Sequence, residues 1–341
     1  MRCSVVICTY NYAHFLPDAL QTLAAQTSPD FELVIVDDGS TDHTAEVVGR
    51  SSQRFQNCVY LKKAHTGLAD SRNVGVRKAS GTHIAFLDAD DLWSPHCLAA
   101  LRGVFEENRQ AEVVCCDGLR MLASGVVRGT LFPAGLPPVC GPITSAKDLF
   151  SFFPNVAPSA LMFARSAYER VGPFQGWSLT TGEDWDWIIR AAYKNTLFVR
   201  LDRQLVVYRF HGANLVSHAD KMFEAWLSIY SETLKPLAKD PQVAVLARRF
   251  TRRRLLSLVP QYPWSQGQRL LRLSAEAFGG DRLLETAHFA GYLGLLHLIK
   301  LARFAVLPFR RSRRLMREHR NDPPASVSDM LAKLPTAHAN A

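Results

Sequence analysis

The sequence predicts an α/β protein: a mainly parallel, Rossmann-like sheet with flanking helices, continued by a helical, basic C-terminal extension. Three observations predict it. Short apolar runs of strand length alternate with helix-length stretches over roughly the first hundred residues, the signature of βαβ units. The runs beginning near residues 3, 31 and 83 each end abruptly in polar side chains, and in an open α/β sheet ligands sit beyond the carboxyl ends of strands. Charge is also split along the chain. Residues 1–220 hold 20 Lys/Arg and 22 Asp/Glu, a net of −2, whereas residues 221–341 hold 20 and 9, a net of +11.

Taken in order, residues 3–8 (Cys-Ser-Val-Val-Ile-Cys) read as a buried strand followed by Thr9-Tyr10-Asn11. A helix is expected over about 14–26, and a second strand over 31–36 ends in Asp37-Asp38-Gly39-Ser40. Thr41-Asp42 can cap a helix running to about 52. A short strand at 59–61, a helix over 67–80 and a strand over 83–87 complete this half. Right-handed crossovers bring successive strand ends to one rim. Further on, 95–108 reads as helix, 112–116 as strand and the Gly/Pro-rich 125–142 as loop or hairpin. A helix begins near Glu183, strands lie near 196–201 and 205–210, and the chain beyond 217 is helical.

With 341 residues, 48% of them hydrophobic and 21% charged, the chain suffices for a large domain with its own core plus an appendage. The boundaries expected are a catalytic domain over 1–217, a basic helical extension over 218–320 and a disordered tail over 321–341. Within the first, 1–93 form a nucleotide-binding part and 94–217 an acceptor side. Seven cysteines, several inside apolar runs, form no CxxC pair. They suggest a reducing, cytoplasmic setting without a zinc site or disulfide framework. The N-terminus enters a strand at once, so no signal peptide is expected.

The chemistry concentrates at residues 83–93. The apolar run Ile84–Leu87 stops in three carboxylates, Asp88, Asp90 and Asp91. Asp88 and Asp90, two apart on a chain leaving a strand, can point to one side. Paired carboxylates suit Mg²⁺ or Mn²⁺ carrying a phosphate ligand. Tyr10 offers a flat face for a base. A carboxylate at 37–38 can accept from a base N–H or a ribose hydroxyl, although an isolated Asp-Gly also reads as a tight turn.

In order, SVVICTYN, FELVIVDDGSTD and TGLADSRNVGVRKASGTHIAFLDADD resemble the nucleotide-binding half of family 2 glycosyltransferases, inverting enzymes of the GT-A fold that use nucleotide-sugars. The likeness is close over residues 3–93 and looser to about 217. One departure is Cys8, where many members have Pro. The resemblance implies that Tyr10 stacks on the base, Thr9 helps hold the nucleotide, Asp38 accepts from uracil N3–H and Arg72 lies near the nucleotide. It further implies that Asp88 touches ribose or metal and Asp90 binds the metal.

Gly182-Glu183-Asp184-Trp185-Asp186-Trp187 precedes a helical run. Acids there suit a helix's first turn, and Trp185 and Trp187 could face a sugar. The stretch resembles the family's ED motif, which implies Asp184 as catalytic base and Glu183 on the acceptor; Trp185, by its aromatic face, is expected on the acceptor too. Arg209-Phe210-His211-Gly212-Ala213-Asn214 resembles the family's R-x-H-x-x-N segment, in which His211 can reach the metal or the diphosphate. The resemblance thus implies transfer from a nucleotide-sugar, a UDP-sugar, to a glycan or lipid-linked acceptor in cell-surface polysaccharide synthesis.

In the tail, Arg248-Arg249, Arg252–Arg254, Arg310-Arg311 and Arg313-Arg314 bracket the stretch Leu283–Leu307. Its polar residues fall within about half the circumference of a helix, and its ionisable groups make a bilayer span costly. An interfacial helix on an anionic membrane, at the inner face of the cell membrane, is one expectation; a helical subdomain packed on the catalytic body is the other. No nucleic-acid module is recognisable. A sugar-1-phosphate nucleotidyltransferase would need a Gly-rich basic loop after the first strand, where Thr9-Tyr10-Asn11-Tyr12 stands. A non-catalytic nucleotide-sugar binder or membrane scaffold would not need Asp90 and Asp184.

Overall fold

The computed structural model describes residues 1–122, 124–136, 139–143, 148–149, 152, 155–176, 182–212, 214, 219–234 and 326–334. The chain divides into two compact units, Met1–Ser217 together with Ala325–Ala341, and His218–Pro324.

The first unit opens with β1 (Cys3–Thr9), α1 (Leu16–Ala24), β2 (Glu32–Asp37), α2 (Thr44–Ser51), β3 (Cys58–Lys62), α3 (Leu68–Lys78) and β4 (His83–Phe86). β1 and β2 are apolar and buried almost throughout, as strands covered on both faces must be. β3, β2, β1 and β4 lie side by side and parallel. Helix α3 lies close on β1 because Gly75 carries no side chain; a Cβ there would sit 2.3 Å from a methyl of Val6.

Beyond β4 the sheet continues with β5 (Leu92–Trp93), α4 (Cys97–Glu107), β6 (Val113–Leu122), β7 (Val127–Thr130), β8 (Cys140–Pro142), β9 (Leu161–Ala164) and β10 (Leu197–Phe210). Strand order is β3-β2-β1-β4-β9-β6-β10-β5, with β7 on β6 and β8 on β10. β9 runs antiparallel between β4 and β6. Its four residues lie in a stretch whose sequence predicts no element, and four apolar residues carry no period that separates strand from helix. The two strands expected near 196–201 and 205–210 are one strand, β10, with register shifts between Leu201 and Val206. There the backbone bends without leaving the sheet.

The tail expected to be disordered over 321–341 contains a helix, Val327–Leu331, capped by the Ser326 side chain, which accepts from Asp329 N at 3.1 Å. Met330 and Leu334 are buried against Leu92, Leu119, Met121 and Val207. Burying each contributes about 1.5–3 kcal/mol, which the tail's weak helical signal does not reveal. Of the second unit, a helix Ala219–Ser228 and a π-helical turn Ile229–Leu234 are described. The amphipathic stretch 283–307 and the arginine clusters lie outside the described residues. Among those described, no helix is long and apolar enough to cross a membrane.

Candidate active site

Pairing of β1 with both β2 and β4 puts three decorated strand ends together. Thr9 is in register with Asp37, and Leu87 N donates to Val6 O at 3.1 Å. Asp37 is fully buried, accepting from Ser40 N at 2.7 Å and Tyr60 Oη at 2.6 Å. It holds the turn. Asn11 adopts a left-handed φ of 56°, and its Oδ1 accepts from Thr41 N at 2.8 Å, bolting the first strand end to the second. Thr9 Oγ1 is buried with no hydrogen-bond partner, a cost that a ligand group would relieve.

Asp38 faces the loop 63–67. Lys63 Nζ and Thr66 N (3.0 Å) donate to its Oδ1, while Gly67 N (2.9 Å) and His65 Nδ1 (2.8 Å) reach its Oδ2. Burial raises its pKa, but Lys63 and the two backbone N–H groups outweigh that and hold it below the usual carboxylate value. Gly39, at φ 84°, makes room for this loop, since a Cβ there would stand 3.0 Å from His65 N. Tyr10 is exposed and stacks on His65, with ring centroids 4.0 Å apart.

The β4 end divides its three acids among different tasks. Asp91 is buried, accepting from Ser159 Oγ at 2.6 Å and Arg209 N at 3.1 Å. Burial, then the charges of Asp90 and Asp88, push its pKa well up. Asp90 meets His211 Nε2 at 2.9 Å and Asn214 Nδ2 at 3.0 Å through one oxygen, Oδ2. Arg209 secures the loop from behind, donating to Asp90 O and, at 2.6 Å, to Asp18 Oδ2. Among the described residues no three His, Cys, Asp or Glu side chains converge as a ready metal cage. An aspartate and a histidine beside one another still fit Mg²⁺ or Mn²⁺, which take their remaining ligands from phosphate and water.

The third part is the start of the helix Glu183–Tyr193. Arg72, 2% exposed, reaches both Glu183 Oε1 and Asp88 Oδ1, the latter at 3.0 Å. Burial disfavours its charge, but Glu183, Asp88 and Asp184 together raise its pKa. Asp184 Oδ1 accepts from Trp185 N at 2.8 Å. Burial, reinforced by the neighbouring Glu183 charge and only partly offset by Arg72, pushes the Asp184 carboxyl up to about 7. A carboxylate poised there is suited to taking a proton at neutral pH.

Glu183, expected on the acceptor, is 5% exposed and turned to Arg72; a buried carboxylate needs a counter-charge, and Arg72 supplies it. Trp187, expected near a sugar, is fully buried against Phe163 and Phe174, with Nε1 donating to Gly172 O at 3.0 Å. Trp185 stays partly exposed beside Asp184. Sequence reasoning missed Ser159, Lys63, His65 and the structural part played by Arg209. Ser159 and His65 sit in stretches without a motif; Arg209 lay inside the segment that pointed to His211.

Strand ends bearing Thr9, Asp38 and Asp88–Asp90, facing a helix that starts in Glu183-Asp184, make up a GT-A glycosyltransferase domain. The chain belongs to glycosyl transferase family 2, whose profile matches residues 4–170. A PGL/p-HBAD biosynthesis glycosyltransferase of Mycobacterium bovis is 30% identical over 225 residues, spanning 64% of this chain and 81% of that protein. An uncharacterized glycosyltransferase of Nostoc sp. is 32% identical over 220 residues, 63% of this chain and 66%, just under two thirds, of that relative. Among solved structures, TarS 1–349 of S. aureus in complex with UDP-GlcNAc matches with a TM-score of 0.63 and 18% identity, covering 81% of this chain and 80% of that one. The mannosyltransferase PcManGT from Pyrobaculum calidifontis, in complex with GDP-Man and Mn²⁺, matches with a TM-score of 0.58 and 17% identity, over 97% and 86%. At such identities the likeness is one of fold.

Proposed function

We propose that the protein is an inverting, metal-dependent glycosyltransferase that moves a sugar from a nucleotide-sugar, a UDP-sugar, to a glycan or lipid-linked hydroxyl in cell-surface polysaccharide synthesis. The observation that carries this reading is one buried arginine, Arg72, paired with both Asp88 and Glu183. It couples the donor side to the helix start where Asp184 stands ready near neutrality.

In this reading Tyr10, Thr9 and Asp38 hold the nucleotide, Asp88 faces the ribose, and Asp90 with His211 holds the diphosphate end. A divalent cation bound there supplies charge neutralisation for the leaving diphosphate. Asp184 accepts the proton of the acceptor hydroxyl as its oxygen attacks the anomeric carbon opposite the diphosphate. Trp185 lines the acceptor side, for which residues 94–217 supply the frame. The transition state has oxocarbenium character. Support for the metal is the Asp90–His211 contact and the Mn²⁺ in a protein of the same fold.

Calorimetry of UDP binding with Mn²⁺ and with EDTA tests the donor site. Affinity should fall when the metal is removed and in Asp90→Ala; equal affinity in all three conditions removes the metal assignment.

The second unit is proposed as a peripheral membrane-surface element on the cytoplasmic side, from its 19 Lys/Arg against 9 Asp/Glu over residues 218–324, a net of +10. Vesicles containing phosphatidylserine should bind the full chain and release it as salt rises. Charge reversal of Arg252, Arg253 and Arg254 to Glu should weaken that binding while leaving the helix Val327–Leu331 in place, which a C-terminal truncation would not. Binding indifferent to salt and to charge reversal overturns the proposal.

A further inference from the structure

Both groups assigned above to the nucleobase are engaged by a single side chain, His65. Its ring lies on Tyr10 at a centroid distance of 4.0 Å and an interplanar angle of 19°. Its Nδ1 stands 2.8 Å from Asp38 Oδ2 and 3.1 Å from Asp38 O. Facing two acceptor oxygens, that nitrogen carries the proton and donates. A flat aromatic ring stacked on Tyr10 and giving one ring N–H to Asp38 offers what a nucleobase with an imide or amide N–H would offer.

The remaining capacity of Asp38 is taken. Lys63 Nζ and the backbone N–H groups of Thr66 and Gly67 occupy its other acceptor positions. The two backbone donors are fixed by the turn into α3, and Lys63 is largely buried, 17% exposed, beside a second carboxylate, Asp70, at 3.0 Å. His65 differs, with 55% of its side chain in solvent. It is the donor that can leave at least cost.

We propose that His65 is a base-mimicking placeholder that determines nucleobase affinity: its imidazole holds the Tyr10 face and the Asp38 oxygen until a base with a ring N–H donor displaces it. Uracil N3–H and guanine N1–H share this chemistry. The inference rests on the reading of Tyr10 and Asp38 as base contacts, and the experiment separates the two.

Isothermal titration with UDP and, separately, with GDP, each with Mn²⁺, is run on the full chain, on His65→Ala and His65→Phe, and on Tyr10→Ala made in the His65→Ala background, where no imidazole competes for the tyrosine face. Loss of a stacked pair and a hydrogen bond that compete with the base should tighten binding in His65→Ala by about five- to thirtyfold. His65→Phe keeps the competing ring without the N–H and should fall between His65→Ala and wild type. The nucleotide whose affinity rises identifies the base. Weaker or unchanged binding in His65→Ala, with Tyr10→Ala weakening it further in that background, overturns the placeholder and makes His65 a direct contact or a bystander. If Tyr10→Ala in the His65→Ala background leaves binding unchanged, the base-site reading itself fails.

Discussion

Asp184→Asn is expected to bind nucleotide and metal within a few fold of wild type while losing sugar transfer by about 10²–10⁴-fold, the usual contribution of a general base, or roughly 3–5 kcal/mol of barrier. Asn keeps the shape of Asp and can still accept from Trp185 N, the bond seen at 2.8 Å, but it cannot take the acceptor's proton. Because the wild-type carboxyl is raised to about 7, transfer at saturating substrate should fall as pH drops below that value, and Asp184→Asn should lack this limb. The same shift has a stability consequence. A carboxyl whose folded pKa lies above its unfolded one burdens the fold once it is charged, so the penalty is full above about pH 7 and vanishes below the unfolded pKa. Asp184→Asn should therefore melt higher than wild type at pH 8, with the gap closing near pH 3. Inversion of the anomeric centre, read by NMR of the product, is an independent check. A retained configuration or near-normal turnover in the variant removes Asp184 from this role.

Arg72→Met should be the most destabilising single change in the site. It strands Glu183, 5% exposed, and removes a partner of Asp88, which is 24% exposed. Breaking a buried pair by deleting one partner costs about 3–5 kcal/mol; the partial exposure of Asp88 draws the expectation toward the lower end. Urea unfolding measures it. The double variant Arg72→Met with Glu183→Gln should recover part of the loss, since the stranded charge is gone. A loss below about 1 kcal/mol, or no recovery in the double variant, shows that the two groups do not depend on each other.

The first half of the fold was legible because its signals are local. Val5–Ile7, Leu33–Val36 and Ile84–Phe86 are buried apolar runs of strand length, and each ends where a polar residue must leave the sheet. The carboxylates at 88, 90 and 184 and the imidazole at 211 were also visible, since motif and element boundary coincide. Ser159 was not, because it acts from a 3₁₀ turn 71 positions away from the backbone N–H of Asp88 that it receives.

By itself, then, the sequence determined the α/β class, the parallel β3-β2-β1-β4 half and the residues at its rim, all set by hydrophobic period and chain connectivity. Only the tertiary structure decided which partners each acid meets. Asp88, Asp90, Asp91, Glu183 and Asp184 look alike in a row of letters. Burial and partners assign Asp91 to Ser159 and Arg209, Glu183 to Arg72 and Asp90 to His211. Asp184 is left half-buried beside a like charge, the condition that lifts its pKa to about 7. The antiparallel β9 and the helix Val327–Leu331 were decided in the same way, by contacts between residues far apart in sequence that no local pattern encodes.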